Sequence, residues 1–104
     1  MKSEIKCIIK MPGEEFGTLT TIPNELAKLQ DAVGGYIETV TFSPGLVIIC
    51  DEEGRLKGYP HNCTICGVDF CGVIIAVGHD GPELTDIGIT MEEWGELIDE
   101  GEKR

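Results

Sequence analysis

A helix gives way to a strand in the stretch Leu29-Gln30-Asp31-Ala32-Val33-Gly34-Gly35-Tyr36-Ile37-Glu38. The pattern ends the helix at Gly34 and begins the strand at Tyr36, so only two glycines separate the two elements. A turn this tight must leave the right-handed region of backbone conformation, which glycine does without a Cβ penalty. We therefore predict a left-handed turn that holds the helix directly against the start of the strand.

The helix before this junction is short and amphipathic. Asn24 is a favourable N-cap, and Glu25 would follow in the first turn, where the helix dipole favours an acid. Leu26, Leu29 and Val33 are spaced three and four residues apart, so they share one face. A helix of about ten residues is not stable alone, and this one is expected to pack on a sheet.

Strands are predicted on both sides of this helix. Residues 5–10 and 16–22 flank a Pro-Gly turn and are expected to form a hairpin. Residues 36–42 alternate in character, as a half-exposed strand does. Two continuous apolar runs, over residues 46–50 and 70–77, are typical of strands buried on both faces.

The segment between the two apolar runs is polar and rich in turn signals. Asp51-Glu52-Glu53-Gly54 predicts a hairpin turn, because glycine suits a position with positive φ. Residues 55–57 are expected to return as a short polar strand on which Arg55 and Lys57 project to the same face. A loop over residues 58–62 and an irregular link over residues 63–69 would complete the connection.

A second helix is predicted near the end of the sequence, over about residues 90–101. Thr90 and Glu93 have the spacing of a capping box, in which each side chain bonds the backbone amide of the other residue. Four residues mark the apolar face of this helix: Met91, Trp94, Leu97 and Ile98. Two helices and a mostly antiparallel sheet predict a single α+β domain over residues 1–104.

Composition is typical of a soluble globular protein, and a cytoplasmic location is expected. Of the 104 residues, 41% are hydrophobic and 26% are charged, and no apolar run is long enough to cross a membrane. The first residues lack the continuous apolar core of a secretion signal. Five cysteines, an odd number, are expected to be free thiols in a reducing compartment.

The net charge is −11, from 19 acidic and 8 basic side chains. Such a field repels a phosphate backbone, so nucleic-acid binding is not expected. A large acidic face could instead bind a basic protein, or it could imitate DNA toward a DNA-binding protein. The charge could also serve only to keep the protein soluble.

A resemblance rests on two segments, LQDAVGGYIE at residues 29–38 and IICDEEGRLKGYPHN at residues 48–62. Both resemble a family of short domains that phages and mobile elements of bacteria carry, and that has no assigned activity. The likeness extends over residues 5–85 and includes a Gly-x-Pro-x-Asn pattern at residues 58–62. It implies a phage or mobile-element origin and a bacterial cytosol as the setting, without implying a particular chemistry.

The densest group of reactive side chains is formed by His61, Cys63, Cys66 and Cys71. Three cysteines and a histidine can bind a structural zinc ion. The sequence has a single Cys-x-x-Cys where zinc ribbons have two separated ligand pairs, and Cys71 lies in an apolar run, where cysteine is most often a buried hydrophobe. The resembling family does not depend on cysteines at these positions. A small zinc-binding domain is therefore a minor alternative, and no metal or other cofactor is expected.

The best candidate for a ligand site concentrates two of the eight bases in a short segment: Arg55, Lys57, Tyr59, His61 and Asn62. The bases would hold a phosphate, the tyrosine would stack on a base or ribose, and the asparagine would read a polar edge. Tyr36 and Glu38 share a strand face, which either lines the same cleft or is simply exposed. The competing interpretation is a polar hairpin in which Asn62 caps backbone groups.

No catalytic motif is present: the sequence lacks a glycine-rich phosphate loop, a Gly-x-Ser-x-Gly and a His-Glu-x-x-His. We therefore expect a non-enzymatic binding protein of a phage or mobile element. In one hypothesis it sequesters a small nucleotide signal of a host defence system, and in the other its acidic surface binds and inhibits a host protein. A homodimer or larger oligomer is expected, because the apolar strands are many for one short chain and a polar edge strand at residues 55–57 cannot shield both edges of the sheet.

Overall fold

The computed structural model describes residues 3–102 and divides them into eight strands and two helices. In chain order these are β1 (Glu4–Lys10), β2 (Thr18–Pro23), α1 (Leu26–Val33), β3 (Ile37–Ser43), β4 (Leu46–Asp51), β5 (His61–Ile65), β6 (Val68–Cys71), β7 (Ile74–Asp80), β8 (Glu83–Thr85) and α2 (Met91–Glu102).

Most strands belong to one large sheet. Its order is β2-β1-β7-β4-β3, with β8 paired to the end of β7, while β5 and β6 form a separate two-stranded sheet. Every pairing is antiparallel, including the predicted hairpin of β1 and β2. The α+β class, the mostly antiparallel sheet and the helix near the end of the sequence are therefore confirmed.

Both faces of the large sheet are buried, which explains why its inner strands are apolar without alternation. β1, β4 and β7 send successive side chains to opposite faces, and each face has its own apolar core. Leu29 and Val33 of α1 cover one face. The β5–β6 hairpin covers the other face together with α2, which contributes Trp94 and Ile98.

α2 is fixed at its start and in its middle. The Glu93 amide donates to Thr90 Oγ1 at 3.1 Å and the Thr90 amide donates to Glu93 Oε1 at 2.9 Å, which confirms the predicted capping box. The fully buried Trp94 donates from Nε1 to the Phe16 carbonyl oxygen at 2.8 Å. Its large ring is buried with its one polar group satisfied, so α2 is anchored on the sheet.

The start of α1 differs from the prediction. The helix begins at Leu26, and Glu25 occupies the N-cap position with extended backbone (φ −132°) and without a side-chain capping bond. Asn24 is therefore not the N-cap, because β2 runs on to Pro23 and delays the helix by one residue. Leu26 does not share the burial of Leu29 and Val33, since it is 59% exposed. A side chain at the first helical position leans past the helix end.

The strand predicted over residues 55–57 does not form. Residues 52–58 fold into successive turns, and residues 52–60 are referred to below as the 52–60 loop. The amides of Lys57 and Tyr59 donate to the carbonyls of Glu53 and Gly54, at 2.9 and 3.0 Å. These local bonds use the backbone groups that strand pairing would need. The 52–60 loop therefore offers no sheet edge, and the premise for an oligomer built on it is wrong.

The stretch predicted as an irregular link over residues 63–69 is a hairpin. β5 pairs with β6, and the turn between them is formed by Cys66 and Gly67, both with positive φ (48° and 82°). Two consecutive residues of this kind are typical of the tightest hairpin turns. The predicted strand over residues 70–77 is split as a result, because its first residues end β6 and β7 begins only at Ile74, after Gly72 (φ 80°).

Candidate functional site

A buried carboxylate organises the 52–60 loop. The Asp51 side chain is 2% exposed, and it accepts hydrogen bonds from Lys57 Nζ at 2.7 Å and from the Glu53 amide at 2.8 Å. Burial acts to raise the pKa of this carboxyl, but hydrogen bonds from Lys57, the Glu53 amide and Tyr59 outweigh burial and leave the pKa lowered. The bond to Asp51 raises the pKa of Lys57. Both groups are therefore charged at neutral pH.

The glycine junction lies directly against this ion pair. Gly34 has the predicted left-handed conformation (φ 96°), and its amide donates to the Gln30 carbonyl at 2.8 Å, which ends α1. Lys57 Nζ donates to the Gly34 carbonyl oxygen at 3.2 Å, so a cation lies at the negative end of the helix. A Cβ on Gly35 would lie 2.5 Å from Lys57 Nζ and 2.8 Å from Asp51 Oδ2. The second glycine therefore leaves space for the pair.

Tyr59 packs into the same unit. The residue is half-buried, and Lys57 Nζ lies 5.7 Å from its ring centroid, within the range of a cation–π contact. Its ring lies close to two glycine backbones: a Cβ on Gly72 would lie 2.5 Å from Tyr59 Cδ2, and one on Gly54 would lie 3.5 Å from it. A ring packed in this way stabilises the loop. Only its exposed part is left for the predicted stacking on a ligand.

Asn62 lies in β5, and the prediction that it belongs to a loop is wrong. Its Nδ2 donates to the carbonyl oxygens of Lys10 and Gly72, both at 2.8 Å, and its Oδ1 accepts from Lys10 Nζ at 2.8 Å. The amide is thus engaged inside the protein, which does not support a role in reading a ligand. Sequence reasoning missed Lys10, which is 2% exposed. Lys10 lies two positions after the buried Ile8 in the same strand, so its side chain is on the same face and could have been expected to point inwards.

Four other predicted residues line two separate depressions. Arg55 and Glu38 line one of about 220 Å³ beside β6, where Arg55 Nη2 donates to the Asp69 carbonyl oxygen at 3.3 Å. Lys57 and Tyr36, which is 68% exposed, line a more open one of about 410 Å³. Arg55 and Lys57 do not share a strand face, because no strand forms there. The structure therefore brings these predicted ligand-site residues together only in pairs and not as one site.

The candidate zinc ligands lie in different environments. Cys63 is buried in the core, Cys66 is exposed at the hairpin turn, and Cys71 is half-buried on β6. His61 is exposed, and its Nε2 lies 3.4 Å from a carboxylate oxygen of Glu102. Within residues 3–102, no three His, Cys, Asp or Glu side chains are grouped closely enough to hold a metal ion.

Three thiols lie in the apolar cores. Burial raises the pKa of Cys7, Cys50 and Cys63 to about 11, and at Cys50 the charges of Glu38 and Asp51 add to the effect. At neutral pH these thiols are protonated. They are therefore poor nucleophiles and poor metal ligands.

An acidic groove runs along α2, a surface that sequence reasoning noticed only through its charge. Two adjacent depressions, of about 220 and 70 Å³, share Leu97 and Glu100. This α2 groove is lined by Ile89, Glu93, Glu96, Leu97, Glu100, Gly101, Cys66 and Gly67. From residue 91 to residue 102 the helix carries six exposed acids and no base: Glu92, Glu93, Glu96, Asp99, Glu100 and Glu102.

The apolar part of the α2 groove comes from the half-buried Ile89 and Leu97. The spacing of Glu93, Glu96 and Glu100 by three and four residues places the acids along one side of the helix. That spacing is visible in the sequence and could have indicated the groove. The apolar contribution of Ile89 could not be predicted from the sequence, because it depends on the packing of the segment before α2.

Among residues 3–102, no helix is long and apolar enough to cross a membrane. In comparisons with known proteins, no curated protein and no solved structure matched the chain. The sequence model of one family, described as a domain of unknown function (DUF3846), matches residues 5–99. This span contains the glycine junction, the 52–60 loop and most of α2. It covers well over half of the sequence, and the chain therefore belongs to the DUF3846 family.

Proposed function

We propose that the protein is a non-enzymatic binding protein whose α2 groove receives a basic segment of a partner protein. The observation that carries this proposal is the composition of the groove, which combines three carboxylates with the apolar side chains of Ile89 and Leu97 and has no basic residue. A lysine or arginine side chain suits such a surface, because its stem packs on apolar groups while its charged head reaches the carboxylates.

Charge supports the same partner class. The chain has a net charge of −11, and α2 contributes six acids to it. Glu93 and Glu102 accept backbone hydrogen bonds from Thr90 and Thr64, at 2.9 and 3.0 Å. No hydrogen bond or ion pair within residues 3–102 engages the side chains of Glu92, Glu96, Asp99 or Glu100. Such a field attracts a basic protein over long range and accelerates association.

The resemblance to domains of phages and mobile elements suggests what the partner does. A phage protein that binds a basic surface of a host protein could inhibit it, and DNA-binding proteins carry such surfaces. We therefore propose the bacterial cytosol as the site of action and a basic, nucleic-acid-binding host protein as the target class.

A calorimetric titration with a basic amphipathic peptide of lysine and leucine tests the site. The double variant Glu96→Lys, Glu100→Lys should bind at least about ten-fold more weakly than the unaltered chain. The matched control is Glu25→Lys, Glu83→Lys, which changes the net charge equally at exposed positions outside the groove. Equal losses in both variants would show that only the overall field matters, and unchanged binding in both would exclude the groove.

Sequestration of a small nucleotide is the second candidate. It is supported by the depression of about 410 Å³ beside Lys57, in which the exposed ring of Tyr36 offers a stacking surface. Lys57 would hold the phosphate in this depression, although Asp51 already neutralises most of its charge, and Arg55 lines the separate depression beside β6. Calorimetry with cyclic nucleotides and ADP-ribose derivatives tests this candidate. Binding that Tyr36→Ala abolishes and Arg55→Ala leaves unchanged, with the ligand recovered intact, would support it over the α2 groove.

A further inference from the structure

β2 ends the large sheet on one side, and its outer edge has no partner strand within residues 3–102. Residues 18–21 are exposed, including Leu19, whose side chain is 52% exposed. The inner edge of β2 is paired with β1 along its whole length, in an unbroken register from Glu4 and Pro23 to Ile9 and Thr18. The outer edge is therefore a straight row of backbone groups available for pairing.

Three other strand edges carry features that block further pairing. β3, at the opposite end of the sheet, has Glu38 and a register shift between Thr41 and Ser43. β8 has three residues and begins at Glu83, and β6 presents Asp69. Charges, bulges and short strands are the usual means by which proteins protect an edge. Of these four edges, that of β2 is the one without such features.

The sequence of β2 strengthens the contrast. Residues 16–24 contain no charged side chain, and the proline of β2 lies at its last position, where it leaves the preceding residues free to pair. Apart from Leu19, the residues of β2 before its proline are threonine and isoleucine, which are enriched in strands. In a chain with a net charge of −11, an edge with this composition is unprotected against strand pairing.

We propose that two copies of the chain associate through β2, which pairs with itself antiparallel about a two-fold axis. An antiparallel contact of a strand with its own copy is self-complementary, as a two-fold interface requires. Because two identical acidic chains repel each other, the contact is favoured where neither copy presents an acid. The two sheets would then join into one continuous sheet, and Leu19 would be covered by the second copy.

This association lies outside the α2 groove and does not depend on the function proposed for it. A single edge strand buries less surface than a standard stable interface, so we expect a dissociation constant in the micromolar range. Salt should strengthen the dimer, because it screens the repulsion between the two acidic chains. A contact made through acidic groups and bases would weaken under the same conditions.

Sedimentation of the full chain from about 5 to about 500 µM measures the association directly. The mass should rise from 11.3 kDa towards twice that value. Thr20→Glu places two like charges close to the axis and should hold the protein at 11.3 kDa. Thr39→Glu, the same change at an exposed position of β3, should dimerise as the unaltered chain does. A monomer at every concentration, or equal effects of the two variants, would overturn the proposal.

Hydrogen exchange of the unaltered chain provides a second measurement that needs no variant. Amides of residues 18–22 that point outwards should exchange more slowly at high than at low protein concentration, while those of β3 should not change. Exchange in β2 that is independent of concentration would overturn the proposal, even if Thr20→Glu failed to fold.

Discussion

Lys10 Nζ donates a hydrogen bond to Asn62 Oδ1, while the Asn62 amide donates back to the Lys10 carbonyl oxygen, each at 2.8 Å. Both residues are buried, and they lie 52 positions apart in the sequence. Lys10 Nζ also lies 3.3 Å from the Asn62 carbonyl oxygen, so its acceptors are amide oxygens. The pair joins the end of β1 to β5 and fastens the β5–β6 hairpin to the large sheet.

Asn62→Ala should lower the free energy of unfolding by about 3 kcal/mol, because it leaves a buried ammonium without its side-chain acceptor. Urea denaturation measures this. His61→Ala, at the exposed neighbouring position, is the matched control and should change stability by less than about 0.5 kcal/mol. The double variant Lys10→Met, Asn62→Leu should recover part of the loss, since apolar side chains can replace a buried polar pair. Equal stability of the two single variants would contradict the role of the pair.

Two glycines of α2 should respond to alanine with opposite signs. A Cβ on Gly95 would make an ordinary contact with Phe16 at 3.6 Å, so Gly95→Ala should stabilise the protein by up to about 1 kcal/mol through helix propensity. A Cβ on Gly101 would overlap the Thr64 carbonyl oxygen. Gly101→Ala should therefore destabilise by about 1 to 3 kcal/mol. Melting temperatures that shift in the same direction would show that the packing of α2 on β5 is misplaced.

A comparison of Gly34, in the glycine junction, with Gly13 distinguishes the cost of backbone strain from the cost of a steric contact. Gly13 and Gly34 both have φ above 90°, but a Cβ on Gly13 would meet nothing within 4 Å, whereas one on Gly34 would lie 2.7 Å from the Tyr59 hydroxyl. Gly13→Ala should therefore lower the free energy of unfolding only by the strain energy, about 1 kcal/mol, and Gly34→Ala should lower it by clearly more. Valine at either Gly34 or Gly35 should cost several times the Gly13→Ala value. Equal losses of stability in Gly13→Ala and Gly34→Ala would show that the contact with Tyr59 does not add to the cost at Gly34.

Asp51 should contribute to stability in a pH-dependent way. Folding lowers its pKa below the usual 3.8, so its contribution is present above that pH and is lost as the pH falls through the folded pKa. At neutral pH the protein should be more stable than the Asp51→Asn variant, and the difference should shrink below about pH 4. Asp80→Asn, at an exposed position, is the control. A difference in melting temperature that stays constant down to acid pH would contradict the ion pair with Lys57.

The cysteines should differ in reactivity. Cys66 is exposed, so an alkylating reagent at neutral pH should modify it first, with the half-buried Cys71 more slowly. Cys7, Cys50 and Cys63 should react only after denaturation, because burial keeps them inaccessible and raises their pKa to about 11. Mass spectrometry of the modified peptides gives the order. Rapid modification of Cys63 in the native protein would contradict the packing of the β5–β6 hairpin.

Features that depend on neighbouring residues were predictable from the sequence. Gly34 ends a helix because of what glycine allows at one position, and Thr90 and Glu93 cap a helix because they are three residues apart. The burial of β4 follows from an uninterrupted apolar run. Each of these signals lies within a few residues and needs no knowledge of the rest of the fold.

The candidate site was predicted less well because its contacts are distant in the sequence. Lys57 resembled a surface residue of a polar strand, yet it bonds Gly34, 23 positions away, and its loop folds around Asp51. Asn62 resembled a loop residue because its partner Lys10 lies in the first strand. Polar side chains used internally cannot be distinguished from ligand-binding ones until the strands that they join have been placed.

The bond from the Trp94 indole to the Phe16 carbonyl spans 78 positions and has a consequence for folding kinetics. Until α2 docks, the core on one face of the sheet, with Ile8, Ile48 and Ile74, lacks the part of its cover that Trp94 and Ile98 supply. Contacts this distant must close long loops before they stabilise anything, so we expect folding that is slow for a domain of this size. A chain emerging from the ribosome would stay unfinished and prone to aggregate until Trp94 has left the exit tunnel.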